Sequence, residues 1–151
     1  MEYTINIKRK MEDFVSKRAE KIYKADILFK VIRDVTGITK REIISKNRKK
    51  DVAIIRNIAG YMLHKDIGMT TTDSAEIIKR DHSTIVYYNK MFETNYDYWR
   101  EFKNLYDVVS KYFWSEFTTC HKEELDLQVK SLESLIEKLK QRSEYLLTKN
   151  N

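Results

Sequence analysis

Residues that interrupt helices are nearly absent from this chain. Its 151 residues include no Pro and only three Gly. Proline removes a backbone donor, and a helix-interior glycine costs about 1 kcal/mol relative to alanine. A chain with so few breakers is expected to be almost entirely helical, and we predict an all-α fold.

Cysteine and long apolar runs are also scarce. Cys120 is the only cysteine, so no internal disulfide can form, and a reducing, cytoplasmic location is predicted. No apolar run approaches the roughly 20 residues that a membrane span needs. The N-terminus lacks the apolar stretch of a signal peptide. We therefore expect no membrane partner.

The signatures of catalysis and cofactor binding are missing from the sequence. Residues 81–83 read Asp-His-Ser, but consecutive helical residues point about 100° apart and cannot form a relay. His64, His82, His121 and Cys120 show no metal-ligand spacing, and there is no Gly-rich phosphate loop. We expect no enzyme activity, no metal, no cofactor and no bound nucleotide.

Positive charge is concentrated in the first third of the chain. Residues 1–50 carry 15 Lys and Arg against 7 Asp and Glu, whereas residues 51–151 are close to balanced. A solvated basic surface explains such a skew without any partner. Nucleic acid is the first functional alternative, and an anionic membrane surface is the second.

The first 36 residues are expected to be mostly helical. Residues 1–10 alternate apolar and polar side chains and are compatible with a strand or a loose arm. A basic helical segment then runs to Lys24, and residues 25–35 continue it with one apolar face. Gly37 is placed to end that helix.

Two further helices flank a basic loop. Thr39 and Glu42 have the spacing of a capping box for a short helix ending at Ile44. The basic loop follows at residues 46–50, and residues 52–65 form a longer helix with an apolar stripe. Gly60 lies in the middle of that helix, where it would permit a close helix crossing.

A helix-turn-helix is predicted next. Asp73, with Glu76 three residues on, fits the cap of a short helix over residues 73–79, although Thr72 is nearly as good a cap. Asp81 fits the cap of a second helix running to about Phe92. Two helices with so short a joint form the helix-turn-helix pattern.

The last third combines aromatic residues with a leucine repeat. Aromatic side chains over residues 95–114 have helical spacing, which favours core packing over stacking on single-stranded nucleic acid. Leucine recurs every seven residues over 122–148, the pattern of a coiled coil, although Gln128 and Arg142 suit a seam poorly. A self-associating helix pair and a single helix folded onto its own domain both remain open. The residues predicted for self-association are Leu125, Leu132, Leu135, Leu139 and Leu146.

The residues around the two helix starts suit duplex DNA. His82 and Ser83, on a first helical turn, can donate to and accept from base edges in the major groove. Arg48, in a flexible basic loop, could enter a narrow minor groove. The side chains expected to contact phosphates are Lys46, Lys49, Lys50, Lys79 and Arg80.

Residues 25–110 resemble the C-terminal DNA-binding domain of DnaA, the bacterial chromosomal replication initiator. The resemblance is carried by Ser-Lys-Asn-Arg at 45–48, Val-Ala-Ile-Ile-Arg-Asn-Ile-Ala at 52–59 and Arg-Asp-His-Ser-Thr-Ile at 80–85. It implies a helical bundle around a helix-turn-helix, of the Trp-repressor-like kind. It also implies that Arg48 enters the minor groove and that Asp81, His82 and Ser83 meet bases. The matching backbone contacts are Arg56, Asn57, Arg80 and Thr84.

The chain departs from that family in several places. The nucleotide-binding module that precedes the domain in the initiator is missing, Asn47 replaces a usually basic residue, and Lys79 stands in place of a turn glycine. We expect a basic N-terminal extension at 1–24, the DNA-binding domain at 25–114, and an amphipathic helix at 115–151. The tail lies outside the resemblance.

The function predicted from the sequence is sequence-specific binding of double-stranded DNA. The role would be replication control or transcriptional regulation at the nucleoid, and the small size suggests a phage or a mobile element. The alternative is a protein–protein interaction module, in which the leucine-repeat helix binds a partner and the DNA-reader fold is a scaffold.

Overall fold

The fold was described from a computed structural model, which covers residues 2–150, with side chains from residue 10 onward. These residues form six helices and no strand, so the predicted all-α fold class is confirmed. The helices are α1 (Glu2–Thr36), α2 (Lys40–Ile44), α3 (Lys50–Lys65), α4 (Thr71–Ile78), α5 (His82–Tyr98) and α6 (Arg100–Lys149).

Helix α1 is longer at its N-terminus than the sequence pattern suggested. It is helical from Glu2, so the expectation of a strand or a loose arm over residues 1–10 is wrong from that residue onward. A few alternating residues cannot outweigh a stretch of 35 residues without Gly or Pro. Gly37 ends the helix as expected, with a φ of 74° and its N–H donating to the Arg33 carbonyl at 2.8 Å.

The capping box of α2 is confirmed. The Thr39 hydroxyl accepts from the Glu42 N–H at 3.3 Å, and the Glu42 carboxylate accepts from the Thr39 N–H at 2.8 Å. This backbone hydrogen bond, followed by one from the Thr39 hydroxyl, lowers the pKa of Glu42. Five residues could not hold a helix alone, so the box fixes where α2 begins.

The core is built from one face of each helix in the first 114 residues. The predicted apolar face of residues 25–35 and the stripe of α3 are both buried, except that Val35 is half-buried. Two aromatic rings from α6, Phe102 and Phe113, are fully buried beside them. The other large, fully buried side chains are Leu28, Ile32, Ile43, Ile54, Ile55, Ile58, Met62, Leu63, Ile78 and Ile85.

Gly60 marks a close crossing of α3 and α5, as the sequence suggested. A Cβ atom built at Gly60 would lie 2.7 Å from a ring carbon of Tyr88 and 3.1 Å from Cδ1 of Ile85. Contacts under 3.0 Å force neighbours to move, and the Tyr88 ring is half-buried. The missing side chain therefore sets how closely α5 packs on the core.

The helix-turn-helix is present, with a different cap on its first helix. Thr70, not Asp73, caps α4: its hydroxyl accepts from the Asp73 N–H at 3.1 Å. Lys79 adopts the left-handed conformation, with φ 51° and ψ 55°, in the turn between α4 and α5. Asp81 holds the N-cap position of α5, although its side chain makes no capping hydrogen bond.

The predicted aromatic helix over residues 95–114 is interrupted. Helix α5 extends to Tyr98, beyond the predicted end at Phe92, and α6 begins at Arg100, so Trp99 forms the joint. The prediction of core packing is right for Phe102, which is buried against Phe92, whereas Tyr98 is 86% exposed. The Tyr106 hydroxyl donates to the Asp66 carboxylate at 3.1 Å and ties α6 to the end of α3.

The chain divides into two compact units, Met1–Trp114 and Ser115–Asn151. The second unit is formed by the part of α6 from Ser115 onward. The repeating leucines from Leu125 to Leu146 are 46% to 60% exposed. No helix among residues 2–150 is long and apolar enough to cross a bilayer.

Candidate nucleic-acid interface

The α2–α3 loop and the α4–α5 turn together form a basic cleft of about 550 Å³. Five cationic side chains and one carboxylate line it, so the cleft carries a net positive charge that attracts a polyanion. Seven of its eight lining residues were singled out from the sequence; Asn47 was not. The lining residues are Lys46, Asn47, Arg48, Arg56, Lys79, Arg80, Asp81 and Thr84.

Arg56 fixes the floor of the basic cleft. Only 6% of it is exposed, and its guanidinium donates to main-chain carbonyls of α2 and the α2–α3 loop. Burial, and then the charge of Arg80, lower the pKa of Arg56. The acceptors are the carbonyls of Ile43 at 2.7 Å, Asn47 at 2.9 Å, Ser45 at 3.1 Å and Glu42 at 3.4 Å.

The structure gives Arg56 partners that the sequence does not predict. Its Nε donates to a carbonyl of α2 and its Nη2 to carbonyls of the loop, while the contact to the DNA backbone stays a prediction. The guanidinium fork can satisfy several acceptors at once, which explains how a charged side chain is buried here. Its direct role in the structure is to hold the loop that carries Arg48.

Arg80 joins the turn of the helix-turn-helix to the same loop. Its Nη2 donates to the Ser45 carbonyl, which also accepts from Arg56, and its Nη1 reaches the Ile44 carbonyl at 3.4 Å. Nη1 also donates to the Lys79 carbonyl at 2.8 Å. One side chain therefore connects the end of α2 and the loop to the turn before α5.

Asn47 is the cleft residue whose role sequence reasoning missed. Its side-chain oxygen accepts from the Lys49 N–H at 2.9 Å, and its own N–H donates to the Ser45 hydroxyl at 3.2 Å. An Asn whose side chain accepts from the N–H two residues on forms an Asx-turn, which shapes a loop locally. The signal was present in the Asn-x-Lys spacing before α3, but we read Asn47 only as a lost positive charge.

The first turn of α5 presents its polar residues to solvent. Asp81, His82 and Ser83 are exposed, and Thr84 is half-buried with its N–H donating to the Asp81 carbonyl at 2.9 Å. Since the Asp81 carboxylate is not used in the cap, it can accept a hydrogen bond from a base such as cytosine. The structure thus brings three of the four predicted base-contact residues to one exposed helix start, and the fourth, Arg48, lies in the α2–α3 loop.

Three predicted phosphate contacts lie outside the basic cleft. Lys50 forms an ion pair with Glu101 of α6 at 2.6 Å, and this hydrogen bond raises the pKa of Lys50. Asn57 is half-buried on α3, and its side-chain oxygen has no hydrogen-bond partner among the residues that the structure describes. Lys49 is exposed at the N-cap of α3. Of these three, Lys49 is the one best placed to reach a phosphate.

Within the part of the chain that the structure describes, no group of three or more His, Cys, Asp or Glu side chains could hold a metal ion. The arrangement of the basic cleft suits recognition of an anionic partner, because its donors are cationic side chains and an exposed helix N-terminus.

The fold and the cleft together define a helix-turn-helix protein. More narrowly, residues 25–91 match the family described as bacterial DnaA protein helix-turn-helix. This finding confirms the resemblance drawn from the sequence, and the matched segment runs from the middle of α1 into α5.

Two curated relatives are chromosomal replication initiator proteins DnaA. That of Pseudothermotoga lettingae is 36% identical over 58 residues, which cover 38% of this chain and 13% of the relative. That of Lachnoclostridium phytofermentans is 28% identical over 102 residues, which cover 67% of this chain and 22% of the relative. The chain therefore spans less than a quarter of the length of either relative. No solved structure is significantly similar to the chain.

Proposed function

We propose that this chain binds double-stranded DNA at specific sequences, using both grooves. The first turn of α5 enters the major groove, where Asp81, His82 and Ser83 meet base edges. Arg48 enters the adjacent minor groove, and Lys46, Lys49, Lys79 and Thr84 contact phosphates.

The observation that carries this proposal is the link made by Arg80. Because Arg80 joins the turn before α5 to the Ser45 carbonyl, three residues before Arg48, the two reading elements are held at a set separation. A basic surface that is merely solvated, without a partner, needs no such link between the loop and the turn. Arg56 supports the loop from below through the same carbonyl.

The biological role that we propose is replication control or transcriptional regulation at the nucleoid. The relatives are named as chromosomal replication initiators, and the matched segment includes the proposed reading surface. A binding role without catalysis fits the chemistry of the basic cleft.

The proposal is tested by selecting bound sequences from a random duplex pool and measuring affinity for the selected site. Arg48→Ala should weaken binding about ten- to a hundredfold and reduce the salt slope by about one. His82→Ala should reduce discrimination at one base position by about 1–3 kcal/mol. Arg41→Ala removes an exposed arginine of α2 outside the basic cleft and is the matched control. Equal binding by all four proteins would refute the assigned surface.

A second candidate function rests on the tail. The heptad leucines are exposed, which suits an interaction module that binds a protein partner, including a second copy of this chain. DNA binding that is absent or insensitive to salt would favour this function over the first. We propose self-association through the tail as an addition to DNA binding.

A further inference from the structure

The apolar face of the tail has two rows of side chains that remain exposed. One row consists of four leucines seven residues apart, Leu125, Leu132, Leu139 and Leu146. The second row lies four residues after the first and begins with Val129 and Ile136. Val129 and Ile136 are each 52% exposed. Alternating spacings of four and three residues are those of a coiled-coil seam, which needs a second helix to cover it.

We propose that a second copy of this chain covers the face, and that the two tails run antiparallel. The twofold axis would pass between Ile136 and Leu139, so that Ile136 of each copy faces Leu139 of the other. The same register places Val129 opposite Leu146, and Leu132 opposite Ser143. Each layer then contains at least one large apolar side chain.

The flanking charges favour this orientation. Glu133 and Lys140 each follow a seam leucine directly. In the antiparallel register Glu133 of one copy lies beside Lys140 of the other, and the symmetry makes two such pairs. Interactions between flanking charges set the orientation of coiled-coil helices.

A parallel pair matches its flanking charges less well. At the centre of the seam its contacts would join Gln128 to Glu133 and Leu135 to Lys140, neither of which is an ion pair, and the one pair of opposite sign, His121 with Asp126, lies at the N-terminal end. It would also place Lys122 of both copies in the same seam layer, where like charges repel. In the antiparallel pair the two Lys122 side chains lie roughly 45 Å apart, from the helical rise of 1.5 Å per residue.

The orientation determines how far apart the two tails begin. Ser115 of one copy would lie roughly 70 Å along the axis from Ser115 of the other, whereas a parallel pair would bring them within about 10 Å.

Disulfide trapping in the full-length protein tests the orientation without DNA. In a Cys120→Ser background, Leu125→Cys should not cross-link, because the two positions lie roughly 38 Å apart in the antiparallel pair. Val129→Cys combined with Leu146→Cys should cross-link efficiently between copies. Cross-linking through Leu125→Cys would show a parallel pair, and a monomer at high concentration in sedimentation would end the proposal.

Charge reversal supplies the second measurement. Glu133→Lys or Lys140→Glu alone should weaken self-association about tenfold, since two ion pairs are replaced by two repulsions. The double variant should restore it. Glu137→Lys, on the outer face of the same helix, is the matched control and should leave the dissociation constant unchanged. Equal losses in the single and double variants would contradict the pairing, whether or not the protein binds DNA.

Discussion

Replacing Arg56 by alanine should destabilise the fold far more than an ordinary surface arginine would. The side chain is 6% exposed and makes three hydrogen bonds of 2.7–3.1 Å to carbonyls of α2 and the α2–α3 loop. At about 1 kcal/mol for each, the loss is about 3 kcal/mol. That corresponds to a fall in melting temperature of roughly 12 °C for a domain of this size.

The measurement is urea and thermal unfolding followed by circular dichroism. Arg56→Lys keeps the charge but not the planar fork, so it should lose about half as much stability. Arg41→Ala and Arg48→Ala remove exposed arginines and should stay within about 0.5 kcal/mol of the unsubstituted protein. If Arg56→Ala unfolds at the same urea concentration and temperature as those two controls, the loop does not depend on the Arg56 guanidinium.

Two further predictions concern the turn and the α3–α6 contact. Lys79→Gly should raise the free energy of unfolding, measured in urea, by about 0.5–1 kcal/mol. Glycine adopts the left-handed conformation of this turn without the steric penalty of a Cβ atom. A lower stability of the variant would contradict backbone strain at Lys79. Burial, and then the charge of Asp66, raise the pKa of Tyr106 in the folded protein. Its contribution to the free energy of unfolding is therefore intact below the unfolded-state pKa of about 10, and it falls as the pH rises above that value. Tyr106→Phe should therefore flatten the alkaline loss of stability in unfolding curves from pH 8 to 11, and an unchanged slope would refute the assignment.

Local chemistry was enough to predict several elements of this fold. Thr39 and Glu42 lie three residues apart and cap each other, so their box depends on nothing distant. Gly37 and Gly60 were also assigned correctly, since each lacks a side chain where one would be costly. The helix-turn-helix could be located because its capping residues lie close together.

Other features depended on choices that local chemistry leaves open. Thr70, Thr72 and Asp73 are all good caps by residue type, and Thr70 is the one that caps α4. The break between α5 and α6 at Trp99 contains no Gly or Pro from which it could be predicted. The burial of Arg56 could not be predicted, because its acceptors are carbonyls 9 to 14 residues earlier, in α2 and in a loop whose path the sequence does not define.

The anchoring of the α2–α3 loop has a consequence for how the proposed DNA specificity could change. Arg56 and Arg80 hold the loop through main-chain carbonyls, which every residue type provides. Substitutions at Lys46, Arg48 or Lys49 therefore leave these bonds in place. The loop can exchange its exposed side chains while keeping its path, which makes it a suitable segment for redesigning the DNA sequence that such a protein prefers.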